Sequence, residues 1–78
     1  LAGGAEAVAA VAQQQMNDKQ LVKALRLIEA ALEAEPNNKV ALTMRLQILT
    51  ALRKASGNLN ESGWLNYGIK QTERQLAD

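Results

Sequence analysis

The chain has 78 residues, of which 47% are hydrophobic and 3% aromatic, and nine basic and eight acidic side chains give a net charge of +1. Cysteine and histidine are both absent, which excludes disulfides, thiol chemistry, His–Cys zinc sites and histidine acid–base catalysis. The charges are interspersed without a concentrated basic face, which disfavours nucleic-acid binding, and no apolar run is long enough to span a membrane. We expect one small domain over residues 1–78, cut from a larger protein.

The first predicted helix starts at Ala5, after the turn at Gly3 and Gly4, and breaks near Asn17. Its inward face, read from helical spacing, consists of Val8, Val11, Ala12 and either Gln15 or Met16. Because the helix is rich in alanine, neighbouring helices can approach it closely.

The second predicted helix follows a polar start signal and runs to about Glu35. Asn17 with Gln20 three residues later forms a capping-box-like arrangement. Pro36 disfavours helix at the residue before it, so the helix should end there. The predicted buried face consists of Leu21, Ala24, Leu25, Ile28, Ala31 and Leu32.

Acidic residues cluster toward the end of this second helix, at Glu29, Glu33 and Glu35. A metal site needs oxygens that converge from separate elements, and one exposed helical stripe cannot enclose a cation. We therefore interpret the cluster as a solvent-exposed face.

The third predicted helix extends from about Lys39 to Ala55, with Asn37 or Asn38 as its N-cap and Gly57 just beyond its end. Apolar residues cover most of its circumference, so other helices and a second subunit should enclose it on several sides. Its candidate interface or packing residues are Leu42, Leu46 and Leu49.

The fourth predicted helix starts at Asn60 as N-cap, has a looser amphipathic pattern, and ends in a polar tail over residues 71–78. Its candidate interface or packing residues are Trp64, Leu65, Tyr67 and Ile69. Lone aromatics in small helical domains usually serve packing. We therefore expect Trp64 and Tyr67 to anchor this helix on the hairpin or on a partner subunit, in preference to stacking on a ligand.

The predicted fold class is all-α, a tetratricopeptide-like helical hairpin with flanking helices, about four helices in total. Helix, polar turn, helix and then a Pro-Asn-Asn junction at residues 36–38 follow the order of a tetratricopeptide unit of about 34 residues. A second full repeat does not fit, because Gly57 and the neighbouring asparagines interrupt its inner helix. One unit is few for an independent peptide-binding solenoid.

Three segments, taken in order, resemble one known family. They are Gly-Gly-Ala-Glu-Ala-Val at residues 3–8, Glu-Pro-Asn-Asn at 35–38 and Asn-Glu-Ser-Gly-Trp-Leu-Asn-Tyr at 60–67. They are similar to the opening, the central turn and the closing segment of the dimerisation domain in alkyl sulfatases of the metallo-β-lactamase superfamily. The chain departs from that family at residues 17–21, where Gly-Asp-Tyr-Arg-Trp is usual, and at Leu65, where arginine is usual.

The resemblance implies a dimerisation or scaffold segment that is not catalytic by itself. Full-length enzymes of that kind carry a two-zinc hydrolase domain, then this helical domain, then a sterol-carrier-like domain. They cleave alkyl sulfate esters, and several are secreted or periplasmic. The implied partners are a second copy and the chain's own catalytic domain. This segment would then hold no cofactor, and the zinc would belong to the hydrolase domain.

The alternative from the residues is a free-standing tetratricopeptide-like adaptor that binds a peptide in its concave face. An autonomous enzyme is disfavoured, because no base, nucleophile pair or metal set is visible. An upstream His-x-His-x-Asp-His motif in the parent gene would discriminate the first two. We expect self-association, because the third helix is so apolar, and a charge at Leu46 or Leu49 should unfold or dissociate the chain.

Overall fold

The computed structural model of the chain describes residues 4–56 and 63–78. These residues form four α-helices, which are α1 (Gly4–Asn17), α2 (Leu21–Ala34), α3 (Lys39–Ser56) and α4 (Gly63–Ala77). The predicted all-α class with four helices is therefore confirmed. The predicted roles of Gly57 and Asn60 lie outside the described residues. Within those ranges, no helix combines the length and the apolar character needed to cross a membrane.

The turn after α1 is closed by backbone hydrogen bonds around a left-handed residue. Lys19 has φ 62°, and its N–H donates to the carbonyl oxygen of Met16 at 2.9 Å. The N–H of Gln20 reaches back to the carbonyl oxygen of Gln15 at 2.8 Å. This pair of bonds is the Schellman closure, in which glycine is the usual left-handed residue.

The predicted capping box at the start of α2 is wrong. Asn17 is the last residue of α1, and its side-chain oxygen accepts a hydrogen bond from Gln13 Nε2 at 3.1 Å. The N-cap of α2 is Gln20, and no side-chain hydrogen bond caps that helix. The Schellman closure satisfies the end of α1 and directs the chain into α2 without a capping side chain.

The junction between α2 and α3 follows the prediction from Pro36. The helix ends at Ala34, and Glu35 leaves the helical region with φ −134° and ψ 77°, as expected for a residue before proline. Asn38 then caps α3, since its Oδ1 accepts the N–H of Ala41 at 3.0 Å.

Glu35 is not part of a solvated helical face, so that part of the acidic-cluster prediction is wrong. Its Oε2 accepts the backbone N–H of Ala5 at 3.1 Å, from thirty residues earlier in the chain. The first N–H groups of a helix have no partner within it and favour a negative charge. The carboxylate of the α2–α3 junction therefore caps α1.

The core forms where α3 contacts α1, α2 and α4. Its buried apolar side chains are Ala5, Ala9, Ala12, Ala24, Leu25, Ile28, Ala31, Ala41, Leu42, Ile48, Leu49, Leu65 and Ile69. The predicted face of α2 is confirmed, with Leu21 and Leu32 at its half-buried margins. In α1 the prediction for Val11 is wrong, because that side chain is 53% exposed and Ala5 and Ala9 face inward instead.

The order of helix contacts leaves α4 at the edge of the fold. Among the described residues α4 contacts α3 alone, whereas α1 and α2 contact each other and α3. Lys39, at the start of α3, reaches the last carbonyls of α4, and Arg53, near the end of α3, bonds Asn66 near the start of α4. The two helices are therefore antiparallel. Because the short hairpin makes α2 antiparallel to α3 as well, α2 and α4 run in the same direction.

Candidate functional site: the exposed side of α4 and its groove

The seam between α3 and α4 is close because Gly68 faces α3. A Cβ at Gly68 would lie 3.1 Å from Leu49 Cδ1 and 3.7 Å from Arg45 Nη2, and the first distance is too short for an undisturbed contact. Leu49 is 1% exposed, and Leu65 and Ile69 are buried on the same seam. These side chains form the chain's own core.

A polar network around a buried hydroxyl also ties α4 to α3. Thr72 is fully buried, and its hydroxyl oxygen accepts a hydrogen bond from Arg45 Nη1 at 2.7 Å. The same hydroxyl donates to the carbonyl oxygen of Gly68 at 2.7 Å. Arg45 Nη2 also lies 3.6 Å from Glu29 Oε2. One guanidinium therefore connects α2, α3 and α4.

This network was not predicted from the sequence, because Thr72 lies in the predicted polar tail over residues 71–78. The helix continues through the predicted polar tail to Ala77, and within that tail Thr72 is buried. The signal for Thr72 was its spacing: it follows Leu65 by seven residues and Ile69 by three, which places it on their inward stripe. A polar residue on that stripe needs a buried partner, and Arg45 supplies it.

A groove of about 360 Å³ lies between α2 and α4, because both helices pack on α3 and not on each other. Its α2 wall carries Glu29 and Glu33, and its α4 wall carries Gln71 and Gln75. The complete lining consists of Glu29, Leu32, Glu33, Pro36, Leu42, Arg45, Gln71 and Gln75. The lining is mixed: α2 contributes carboxylates and α4 contributes amides, and Leu32, Pro36 and Leu42 add apolar surface.

The two aromatic side chains of the chain stand out from α4. Trp64 is 60% exposed and Tyr67 is 71% exposed. Of the two predicted anchoring surfaces, the chain's own hairpin is therefore excluded, and a partner subunit stays a prediction. Trp64 precedes Gln71 by seven residues and Gln75 by eleven, two and three helical turns. The indole therefore continues the α4 wall of the groove toward the start of the helix.

The α2 wall continues in the same way. Val22 precedes Glu29 by seven residues and Glu33 by eleven, and it is 56% exposed. Because α2 and α4 run in the same direction, Val22 and Trp64 lie toward the same end. Two exposed apolar side chains therefore lie beyond one end of the groove, one in line with each wall.

The family model described as alkyl sulfatase dimerisation matches residues 1–75. The chain belongs to this family. No curated protein and no solved structure matches it. The resemblance read from three short motifs is therefore confirmed at the level of the family, and the chain is a dimerisation segment.

The interface candidates of this dimerisation domain fall into three groups by exposure. Leu42, Leu49, Leu65 and Ile69 are buried within the single chain, Leu46 is half-buried, and Trp64 and Tyr67 are exposed. Of these candidates, only Trp64, Tyr67 and the exposed part of Leu46 are accessible to a second molecule while the chain stays folded.

A second groove of about 400 Å³ lies between α1 and α2 of the dimerisation domain. It is lined mainly by small apolar residues, which are Gly4, Ala5, Val8, Leu27, Ala30, Ala31 and Ala34, with Glu35 at one end. The carboxylate of Glu35 is already occupied by the N–H of Ala5. The groove therefore offers apolar contact without a free polar group to orient a ligand.

In residues 4–56 and 63–78, no group of acidic side chains is arranged to hold a metal ion. Glu29 and Glu33 line the same wall, but Glu29 is paired with Arg45.

Proposed function

We propose that this dimerisation domain joins two copies of a zinc-dependent alkyl sulfatase into a homodimer and takes no part in the chemistry itself. The observation that carries the proposal is the family match over residues 1–75. An edge helix with two exposed aromatic side chains supports it, because aromatic residues are enriched among interface hot spots.

The contribution of the aromatic pair to the free energy of association sets a lower limit on the size of the interface. If Trp64 and Tyr67 each lose on the order of 100 Å² on association, they contribute about 5 kcal/mol at about 25 cal/mol per Å². The loss of translational and rotational freedom costs roughly 4–15 kcal/mol. The aromatic pair alone does not drive stable association, so the interface must include surface beside it.

The catalytic part of this proposal concerns the parent protein. The segment contains no histidine, so the imidazole ligands of a two-zinc hydrolase site would come from another domain of the same protein. The homodimer would hold two such domains in a fixed relation through a two-fold interface. Sequencing the parent gene tests this: an upstream His-x-His-x-Asp-His motif supports it, and a reading frame without any metal-ligand cluster contradicts it.

Self-association is tested on the 78-residue chain by sedimentation equilibrium over a range of concentrations. We expect a species of twice the 8.4 kDa chain mass, with helical far-UV circular dichroism. A folded species that keeps the single-chain mass at millimolar concentration would refute the proposal.

The second candidate is a tetratricopeptide-like adaptor that binds a peptide. The observation that favours it is the contact of α1 with α3 in addition to the contacts between successive helices, which is the packing order of stacked helical hairpins. A folded single-chain species that binds extended peptides would support this candidate against the dimer.

A further inference from the structure

We propose that the dimer forms by reciprocal insertion: α4 of each copy lies in the groove between α2 and α4 of the other copy. The inference rests on the proposed homodimerisation and adds the surface, the orientation of the helices and the side chains that meet.

The groove can accept a helix because it lies between two helices that both pack on α3. The walls α2 and α4 both pack on α3 and do not contact each other within the described residues. A third helix laid over this gap would contact both walls, with its side-chain ridges packed into the surface grooves of each. The chain itself has an unused helix face for this position, which is the outer side of α4.

The outer side of α4 has the spacing of a helix–helix seam. Trp64, Tyr67, Gln71 and Arg74 follow one another at intervals of three, four and three residues, and all four are exposed. This is the interval at which side chains interlock between paired helices. The inner side of α4, with Leu65 and Ile69, is already packed on α3, so the outer stripe is a second and separate seam.

Two-fold symmetry then fixes the direction of the helices. In this arrangement each α4 lies over the gap between α2 and α4 of the other copy. The layer formed by α2 and α4 of one copy must therefore be displaced sideways relative to the same layer of the other copy, by about half the distance between neighbouring helices. A two-fold axis parallel to the helices produces that offset, and it leaves the two α4 helices parallel to each other. Equivalent residues of the two copies therefore lie at the same height along the axis.

Two complementary sets of side chains lie at equal heights in this orientation. At one end, the aromatic pair of one copy meets Val22 and Trp64 of the other, and all these side chains are more than half exposed in the single chain. At the other end, Arg74 lies at the height of Glu33, which lines the α2 wall. Within the described residues neither Glu33 nor Arg74 has an ion pair. Apolar surface thus meets apolar surface, and a cation meets an unpaired carboxylate.

The groove between α1 and α2 is a weaker choice for the second copy. Its lining is almost entirely apolar, and no exposed helix stripe in the described residues offers both shape and charge to match it. Val11, on the outer side of α1, is an isolated exposed valine without an aromatic neighbour on its helix. This helix supplies the control variant for the test.

Single-cysteine variants test the geometry directly, because the chain contains no cysteine. Glu33→Cys and Arg74→Cys are prepared separately, mixed and oxidised. Disulfide formation requires Cα atoms within about 7 Å, so we expect a mixed cross-linked dimer. Gln47→Cys, on the exposed side of α3 away from the groove, is the matched control and should give no cross-link with Glu33→Cys.

Affinity measurements test the same surface by a different route. Trp64→Ala should weaken the dimer at least about tenfold, and the control Val11→Ala should leave it unchanged. Glu33→Arg and Arg74→Glu should each weaken it about fivefold, and the combination in one chain should restore affinity. All these side chains are exposed in the single chain, and helical circular dichroism verifies that each variant remains folded.

The outcomes separate this inference from the proposed function. A wild-type chain that stays a single molecule overturns the homodimer and the insertion together. A wild-type dimer without the Glu33–Arg74 cross-link, and with full affinity in Trp64→Ala, overturns the insertion and leaves the homodimer in place. The cross-link together with the affinity loss supports both.

Discussion

Replacing Thr72 with valine removes the buried hydroxyl that connects α4 to α3. That hydroxyl accepts from Arg45 Nη1 and donates to the carbonyl of Gly68, both at 2.7 Å. Valine keeps the size and the β-branch of threonine, so Thr72→Val opens no cavity at a position that is fully buried. The change therefore isolates the hydrogen bonds from packing.

The expected loss of stability is the balance of two opposing effects. The bond from the charged guanidinium contributes about 1.5–3 kcal/mol. The methyl group that replaces the hydroxyl gains roughly 0.8 kcal/mol from apolar burial. The carbonyl of Gly68 loses little, because it can keep its helical backbone bond. We expect Thr72→Val to lower the free energy of unfolding by about 1–2 kcal/mol.

Urea unfolding followed by far-UV circular dichroism measures this loss, with wild type and variants at one fixed chain concentration. Thr72→Ser is the matched control, since it keeps the hydroxyl and loses one methyl group, at a cost of about 1 kcal/mol. In an Arg45→Met background, Thr72→Val should cost less than about 0.5 kcal/mol, because its partner is gone. An equal cost in both backgrounds, or no cost in wild type, would show that this hydrogen bond does not hold α4.

Three further changes test separate parts of the fold. Leu49→Asp places an unpaired carboxylate at a 1% exposed position and should unfold the chain, with a loss in the free energy of unfolding above about 4 kcal/mol. Leu46→Asp, at a half-buried position, should lower the free energy of unfolding by about 1–2 kcal/mol. Equal melting temperatures for the two variants would contradict the difference in burial. Lys19→Gly should gain about 1 kcal/mol, because glycine adopts φ 62° without strain; its melting temperature should rise, and Lys19→Ala should show no rise. Asn38→Ala should lose about 1 kcal/mol, measured by urea unfolding, because it removes the cap on the N–H of Ala41; Asn38→Ser should retain most of the stability.

The helices that could be predicted from sequence are those whose local signals agree with one another. In α2 a narrow apolar stripe is followed by Pro36, and the structure buries Ala24, Leu25 and Ile28 as expected. In α3 the N-cap at Asn38 is confirmed. Both features depend on residues within a few positions of each other, so the sequence contains the whole interaction.

One group of errors arose where a residue's partner is distant in sequence; the capping box at Asn17 is different, because the Schellman closure that replaces it is local. Glu35 reads as one more acid at a helix end, but its partner is the N–H of Ala5, thirty residues away. Thr72 reads as part of a polar tail, and its partner Arg45 lies twenty-seven residues earlier. In α1 the abundance of alanine made several faces equally plausible, so spacing alone did not identify the inward one.

The exposure of Trp64 and Tyr67 is also set by contacts between residues that are distant in sequence. Trp64 and Tyr67 are the largest apolar side chains of α4, and the amphipathic pattern left open whether they pack on the hairpin or on a partner subunit. The structure turns Leu65, Gly68, Ile69 and Thr72 toward α3. Gly68 permits the close approach to Leu49, and that contact fixes the rotation of α4 and leaves the aromatic stripe outside.

The sequence by itself determined the helices, most of their ends and the family, because periodicity, caps, proline and short motifs act over a few neighbouring residues. The tertiary structure alone decided which way α4 faces, which polar groups are paired in the core, and that α2 and α4 leave a groove between them. These features depend on the rotation and separation of whole helices. Contacts between residues far apart in the chain set that rotation and separation, and no local pattern encodes them.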